Sequence, residues 1–582
     1  MAKNITDEDL VKFSKRTLET LKAERLEVEP EVDNVIRFVN HQRRSVEYNR
    51  EKDRSRKGQR TGRSVYDGTA ISAAQIAADG IYGYLCSQSL RWFEFNLPGI
   101  INFPRTSGLR AFNDKPLDSI LQVRQWLDNC EEVMYSAYAR SNFYNFCPTY
   151  IYEGVSIGTT TAMIEEDVGK GRINFIMPHF RECFIAQDQF GRVDTLYRLY
   201  QLEMRQLVQK FGEEFLEMKP EFKQQYENDP YQEKLVLHAT YPRADYDPAI
   251  LNGKNKKIGS FWILMEEGGA KNGGLIEESG FDSLPNVTWR WFVNSDEKYG
   301  RSPAWFAMVD IMKANQQGKT NLEAGHKMVK PPMFASTDLR GKIHDGPGGQ
   351  TFGDGDAPKS ILTNSIQLPF GIDQQERTDR AIREHFHTDF FTILNNAAAN
   401  KTELTATQAL GMQAEQAVII AARIGRFQTE GLNEIMDRVW NIEFRARRLP
   451  DPPPILQDMG VGLPIETDYR GPLAQAQKAA FKIQGIRGGI QGLSEIGQIY
   501  PDATDKVDFD ILVEEYMDSV NFPTRALRSD DQVAFIRKNR RIQEAAKLAM
   551  DNLEQGSKAT KNLSKTVEPD SVLNALVEGV QQ

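Results

Sequence analysis

One helix limits the folds open to this chain more than any other feature. Ser302-Pro303 starts it. Ser serves as N-cap, its oxygen taking an amide that the first turn leaves unpaired, and Pro fills the first helical position, where a missing N–H costs nothing. Helical spacing runs on to Lys330, and Pro331-Pro332 stops it. At 1.5 Å per residue such a helix is roughly 40 Å long. Its first half is apolar (Trp305, Phe306, Val309, Ile311, Met312), but its middle is Asn315, Gln316, Gln317, Gly318, Lys319, Thr320 and Asn321. So polar a middle makes a poor core helix for a monomer. It suits a helix beside copies of itself, or one lining a wet cavity. A Gly/Pro-rich stretch over 331–370 follows, and then a second helix over 373–394.

The rest of the chain reads as α+β and mostly helical. A charged helix is expected over 8–40, with Leu10, Phe13, Leu18 and Leu21 at helical spacing. An Ala-rich helix is expected from Ala70 to Leu90, and one with aromatic teeth over 116–146. Short β-like runs follow at Thr159 to Ile164, Ile173 to Met177, Cys183 to Ala186, Val193 to Leu202, 234–241, 258–265 and 287–293, with Gly191 at a turn. Thr405-Ala406-Thr407-Gln408 is a capping box opening a long helix to Arg448, and Pro450 and Pro452 to Pro454 forbid its continuation. Ser529-Asp530-Asp531-Gln532 opens another helix, and from Asn552 the composition thins toward disorder.

At 582 residues the chain is too long for one core. No apolar run is long enough to span a bilayer, and the N-terminus lacks a secretory pattern, so synthesis and residence in the cytoplasm are expected. Cys86, Cys130, Cys147 and Cys183 are widely spaced and read as buried free thiols. The net charge of −9 argues against a tight grip on nucleic acid over a large surface, though not against a protein past which DNA slides. The basic stretch from Arg43 to Arg63 is open to two readings: a solvated loop, or a contact with an acidic neighbour or DNA.

Catalytic patterns fail on inspection. Gly318-Lys319-Thr320 ends like a phosphate-binding loop, but position 313 is Lys rather than Gly, and the segment sits inside a helix. Gly353-Asp354-Gly355-Asp356 lacks the closing Glu of a calcium loop. His385 and His387 are two apart and do not share a helix face. Neither an enzyme nor a cofactor or metal is expected.

Four stretches do match one family. Phe281 to Pro285, Trp289-Arg290-Trp291 and Tyr299-Gly300-Arg301-Ser302-Pro303 form the first, and Val329 to Met333 the second. Thr405 to Gln408, Arg426-Phe427, Glu430, Leu432, Arg438-Val439 and Leu449-Pro450 form the third. Val507 to Asp510, Pro523, Ser529 to Val533 and Ile536-Arg537 form the fourth. In order and spacing they resemble the portal, or head-to-tail connecting, proteins of short-tailed bacteriophages. Gln408 and Gln532 stand where that family more often has Glu, and both keep the capping chemistry.

The resemblance implies a subunit of a ring, typically of twelve, through which double-stranded DNA is packaged and ejected at one capsid vertex. It implies a wing over 1–295, a stem helix over 296–330, a clip over 331–370 and a second stem helix over 371–394. A tunnel loop over 395–404, a long wing helix over 405–448, a crown over 449–556 and a flexible tail over 557–582 would follow. Asn395, Asn396, Asn400, Lys401 and Thr402 would face DNA from the tunnel loop, and Asn315, Gln316, Lys319 and Asn321 would line the channel from the stem. Implied partners are the terminase large subunit, tail adaptor proteins, and major capsid and scaffolding proteins, with no membrane. Another structural virion component, such as a tail adaptor or internal core protein, shares the acidic, helix-rich character but leaves the helix–loop–helix order unexplained. A nucleic-acid-processing enzyme would need a metal-binding carboxylate cluster, and none is legible.

Overall fold

The computed structural model describes residues 6–40, 65–97, 120–250, 252–265, 274–329, 333–334, 359–360, 368–391, 424–457 and 465–470, with short helical stretches between 488 and 547. Two compact units divide at Ala480 and Phe481. In the second, helical residues over 532–545 leave Phe535 and Ile542 exposed. The basic stretch 43–63, the loop 395–404, both capping boxes' opening residues and the tail 557–582 lie outside the described residues, as does nearly all of 331–370.

The first unit is mixed helix and sheet. Helix α1 (Asp7–Arg25) begins on Thr6, whose hydroxyl takes the Asp9 amide, and three acidic residues fill its first turn. The single helix expected over 8–40 is in fact two: α1 ends at Arg25, and α2 (Glu29–Phe38) starts afresh with Pro30 in its first turn. Arg25 fixes the break. Its buried guanidinium donates to the carbonyls of Arg181 (2.7 Å) and Cys183 (3.2 Å), pairs with Glu29 (2.8 Å) and lies 3.8 Å from the Phe184 ring centre.

Helix α3 (Thr69–Leu85) turns Ala70, Ala73, Ala74, Ala77 and Ala78 inward, and β1 (Phe93–Asn96) follows. The helix expected over 116–146 is also two. Helix α4 (Leu121–Arg140) stops at an extended Ser141, and α5 (Phe143–Ile157) begins after Asn142. Asn142 explains the interruption: its side-chain amide exchanges two 2.8 Å hydrogen bonds with the backbone of Phe175, standing in for a missing strand neighbour.

Two antiparallel sheets come next. Strands β2 (Thr159–Asp167) and β3 (Arg172–Ile176) pair as a hairpin. Strands β4 (Cys183–Gln187) and β5 (Val193–Glu203) begin the larger sheet, and α6 (Met204–Phe211) and α7 (Phe222–Asn228) interrupt it before β6 (Glu233–Pro242). Strands β7 (Ile258–Leu264) and β8 (Leu275–Phe281) complete it in the order β4-β5-β6-β7-β8. Strand β9 (Asn286–Arg290) returns to β2, giving the order β3-β2-β9.

Both faces of the five-stranded sheet are covered, so its central strands read as continuous apolar runs rather than alternating ones. Phe261 and Ile263 point to the side packed by Val11, Leu18 and Leu21 of α1, while Trp262 and Leu264 point to the side packed by Leu207, Phe215 and Phe222. The largest core joins α2 to α5, the three-stranded sheet and the helices that follow.

After β9 come α8 (Pro303–Phe306) and α9 (Met308–Val329), then the two-residue strands β10 (Met333–Phe334) and β11 (Lys359–Ser360), which pair with each other. Helix α10 (Leu368–His385) follows. A π-helical turn over Phe427–Leu432 runs into α11 (Asn433–Arg445), followed by α12 (Pro454–Gln457). Strand β12 (Glu466–Tyr469) closes back on β1. No helix among the described residues is long and apolar enough to cross a membrane.

Candidate functional site: the paired helices α9 and α10 and their anchor

Helices α9 and α10 run antiparallel. Asn321 donates to the Gln375 side chain (2.9 Å) and the Gly371 carbonyl (3.4 Å), while Asp310, near the other end of α9, lies 3.7 Å from His385. A strap at residues 65–68 braces the pair. The Tyr66 N–H donates to Asn315 Oδ1 at 2.7 Å, and Gln375 Nε2 donates to Asp67 at 3.3 Å. Gly318 permits the strap to lie close, since a Cβ there would stand 3.0 Å from the Tyr66 carbonyl oxygen. Burial and the neighbouring Asp67 carboxylate push Asp379 of α10 above the usual carboxylate range.

The polar middle of α9 therefore divides by direction. Asn315 and Asn321 are taken up within the subunit, by the strap and by α10. Gln316 is exposed, and half-exposed Lys319 lies 3.9 Å from Glu323. Residues three, four and seven apart stack along one helix face. On that principle Val309, Met312, Lys313, Gln316, Thr320, Glu323 and Lys327 form one open stripe, apolar at its start and polar after Met312. Val309 is 78% exposed, and Phe306 stands exposed just before it. Of Asn315, Gln316, Lys319 and Asn321, expected from sequence to line a channel, Gln316 lies on this stripe and Lys319 at its margin, and Lys313, Thr320, Glu323 and Lys327 share the stripe without having been singled out. The signal for them is their spacing from Gln316. Gly318-Lys319-Thr320 lies inside α9, where Thr320 donates to the Gln316 carbonyl at 2.9 Å, so its amides do not form a phosphate cradle. Asn395, Asn396, Asn400, Lys401 and Thr402 lie outside the described residues.

The pair leaves the sheet body through Tyr299-Gly300-Arg301-Ser302-Pro303, and each residue has a task. The Ile185 N–H donates to the Tyr299 hydroxyl (3.3 Å) and the Gly300 N–H to Thr159 Oγ1 (2.7 Å). Gly158, at φ +100°, passes so close that a Cβ would meet the Gly300 carbonyl at 2.5 Å. Arg301 pairs with Glu297, Ser302 Oγ accepts the Trp305 amide at 3.2 Å, and Pro303 occupies the first turn.

Behind this exit, two of the sequence motifs meet. Arg290, at the end of β9, faces Glu430 in the π-helical turn, with Nη2 to Oε1 at 2.8 Å and Nε and the backbone N–H to Oε2 at 3.2 and 3.1 Å. The same guanidinium donates to the Gly191 carbonyl (2.9 Å) and the Lys298 carbonyl (3.3 Å). Trp289 packs on Phe427, ring centres 4.5 Å apart. Arg438 of α11 donates to Ser283 Oγ (2.8 Å) and the Ile164 carbonyl (3.3 Å). Burial and the nearby Arg445 lower Arg438 to about 10.

Residues 12–527 match the family described as "Bacteriophage head to tail connecting protein". The chain belongs to that family. It is 26% identical over 527 residues to the portal protein of Salmonella phage epsilon15, covering 89% of each chain. It is 25% identical over 540 residues to a probable portal protein of Bordetella phage BPP-1, covering 90% of each. For this head to tail connecting protein, two contacts give the family-like motifs a structural meaning: Arg290 with Glu430 fastens the end of β9, beside the exit of α8, to the π-helical turn, and Arg438 with Ser283 fastens α11 to the turn before β9.

Other chemistry is sparse. A cleft of about 660 Å³ lies between β2, the β7–β8 edge and the end of α11. Much of its charge is already paired, Arg448 with Glu166 and Glu443, and Arg445 with Asp282. Among the described residues no group of three metal-ligating side chains is assembled.

Proposed function

We propose that this chain is the portal subunit of a phage: one member of a ring, typically of twelve, that forms the channel for double-stranded DNA at one capsid vertex. The observation that carries this reading beyond family membership is the open stripe on α9. A braced helix pair whose outer face is apolar at one end and polar along the rest suits packing against the next subunit at the apolar end and facing a wet channel beyond it. The lining we assign is Lys313, Gln316, Thr320, Glu323 and Lys327, with Lys319 at its margin. Asn315 and Asn321 serve instead as internal braces.

A ring of twelve carries about −108, twelve times the −9 of one chain. Such a field opposes tight phosphate binding and suits DNA that must slide. In this reading residues 331–370 form the clip and receive the terminase large subunit during packaging, then the tail adaptor proteins. Major capsid and scaffolding proteins surround the wing. Residues 395–404 form the tunnel loop, with Asn395, Asn396, Asn400, Lys401 and Thr402 touching phosphates without reading bases. Assembly takes place in the bacterial host, and the finished ring resides in the virion.

Native mass spectrometry with electron-microscopy class averages tests the core of this proposal. A ring of about twelve 66.2 kDa chains around a central hole is expected. A monomer that persists with scaffold and capsid protein present would overturn it. Deleting 396–401 tests the loop assignment separately, and unchanged packaging and genome retention would refute it.

A further inference from the structure

Outside the helix pair, the largest core holds two thiols side by side. Cys86 caps α3, its N–H bonded to the Tyr82 carbonyl at 3.0 Å, and Cys147 sits within α5 just before Pro148. Their sulfurs are 3.2 Å apart and both residues are fully buried. The approach follows from local sequence, because the alanine face of α3 removes the side-chain bulk that would otherwise keep it from its neighbour. A disulfide needs sulfurs about 2.05 Å apart. At 3.2 Å the two sulfurs are in direct contact, about 1 Å short of a bond.

We propose that Cys86 and Cys147 are a latent cross-link, held as thiols under reducing conditions and converted to a disulfide by hydrogen peroxide. Peroxide is close to water in size, and because both thiols are fully buried the reaction requires transient opening of the core. One thiol gives up its proton, and its sulfur attacks a peroxide oxygen. The O–O bond breaks, and the departing hydroxide takes that proton to leave as water. The sulfenic acid so formed is attacked by the second sulfur: an S–S bond forms, the S–O bond breaks and a second water leaves. Two thiols and one hydrogen peroxide give one disulfide and two waters, the sulfurs losing the two electrons that peroxide gains.

The environment makes this conversion slow. Burial holds the Cys147 thiol well above its usual range, and the adjacent Cys86 adds to the effect, so little thiolate is present at neutral pH. The cross-link would span 61 positions of sequence and tie the end of α3 to the first half of α5. That end of α3 carries Tyr84, whose ring packs 5.5 and 5.9 Å from Phe390 and Phe391, just beyond α10. Oxidation would thus stiffen the support of the helix pair from behind, leaving its open stripe unchanged.

The test uses the purified full-length protein, reduced and then treated with hydrogen peroxide, alkylated after unfolding and mapped as peptides without reductant. A linked Cys86–Cys147 peptide pair is expected. Alkylatable thiols should fall from four per chain to two, with Cys130 and Cys183 still alkylated. The melting temperature should rise by several degrees, and dithiothreitol should reverse both changes. Cys86→Ser and Cys147→Ala should each abolish the linked peptide and the shift. Should either variant fail to fold, the wild-type map and its reversal still decide. Four intact thiols after a dose that oxidises the unfolded chain would overturn the proposal. So would another pairing, or sulfinic acid in place of the linked pair.

Discussion

At the scale of single residues, buried charge separates structural from exposed chemistry. Glu153 of α5 is fully buried, and burial raises its carboxyl to about 8, with Glu182 adding to the rise. One of its oxygens has no hydrogen-bond partner. An unfolded Glu titrates near ~4.3. Between those values the folded chain holds a proton that the unfolded chain has lost. The neutral group's advantage is therefore complete below about 4.3 and is lost as pH rises toward about 8. Glu131 shifts the same way, to about 7, mainly through burial. His179, lowered to about 4 by burial and by Arg25, acts in the other direction and costs stability as pH falls below about 6.5. Glu153→Gln should melt near wild type at pH 5 but at least ~3 °C higher at pH 8.5. Equal differences at both pH values would count against a protonated Glu153.

Arg290 and Glu430 offer a sharper case, with the Arg side chain 4% exposed and the Glu 22%. Removing one partner strands the other charge, which typically costs about 3–5 kcal/mol. Arg290→Met and Glu430→Gln should each lower unfolding free energy by roughly 3 kcal/mol in denaturant titrations. The double variant should lose much less than the sum, because the buried Arg290 charge and its carboxylate partner go together, leaving only the half-exposed Arg426 without Glu430. Strict additivity would mean the pair contributes little.

At the scale of elements, α9 contains two glycines that look alike in sequence and differ in the fold. Glycine in a helix interior costs about 1 kcal/mol relative to alanine. Gly325 has open space where a Cβ would go, so Gly325→Ala should gain about that amount. At Gly318 the new Cβ would press on the Tyr66 carbonyl. Gly318→Ala should lose stability instead and speed hydrogen exchange of the Tyr66 amide, whose bond to Asn315 holds the strap. An equal gain at both positions would remove the strap from the account.

The same pair shows what periodicity reveals and what it omits. The strands β2 to β7 and β9 are legible because each carries a run rich in β-branched, aromatic or other apolar residues. Strand β8 is not: Leu275-Ile276-Glu277-Glu278-Ser279-Gly280-Phe281 is half polar, and its place depends on pairing with β7. Helices α6 and α7 are short, and their charged outer faces resemble loop composition. The breaks at residues 26–28 and 141–142 depend on distant partners of Arg25 and Asn142, which no local pattern contains. In α9 the sequence marked a polar middle correctly. It gave no means of telling which amides turn toward α10 and the strap.

At the scale of the whole molecule, the exposed start of the stripe decides between a chain that is complete alone and one that is not. Phe306 at the end of α8 and Val309 and Met312 of α9 are all exposed, α9 being braced elsewhere by α10 and residues 65–68, so no contact among the described residues needs Val309 and Met312 exposed. In a ring they would meet the next copy, and burying an aliphatic side chain of this size is worth about 1.5–3 kcal/mol. Val309→Asp puts a carboxylate into that seam while touching no core, since Val309 is largely solvent-facing in the single chain. The variant should keep the wild-type circular dichroism and the melting temperature of the isolated subunit, yet appear in native mass spectra at 66.2 kDa rather than as a ring. The uniform charge of −9 per chain adds a second handle. Like charges crowded in a ring repel, and the Debye length shrinks to roughly 3 Å at 1 M salt, so raising salt should tighten wild-type assembly. Salt should not rescue Val309→Asp fully, because screening leaves the cost of desolvating its carboxylate in place. If the variant assembled as well as wild type at every salt concentration, the apolar end of α9 would not be the seam, and subunit packing would have to be sought on another face.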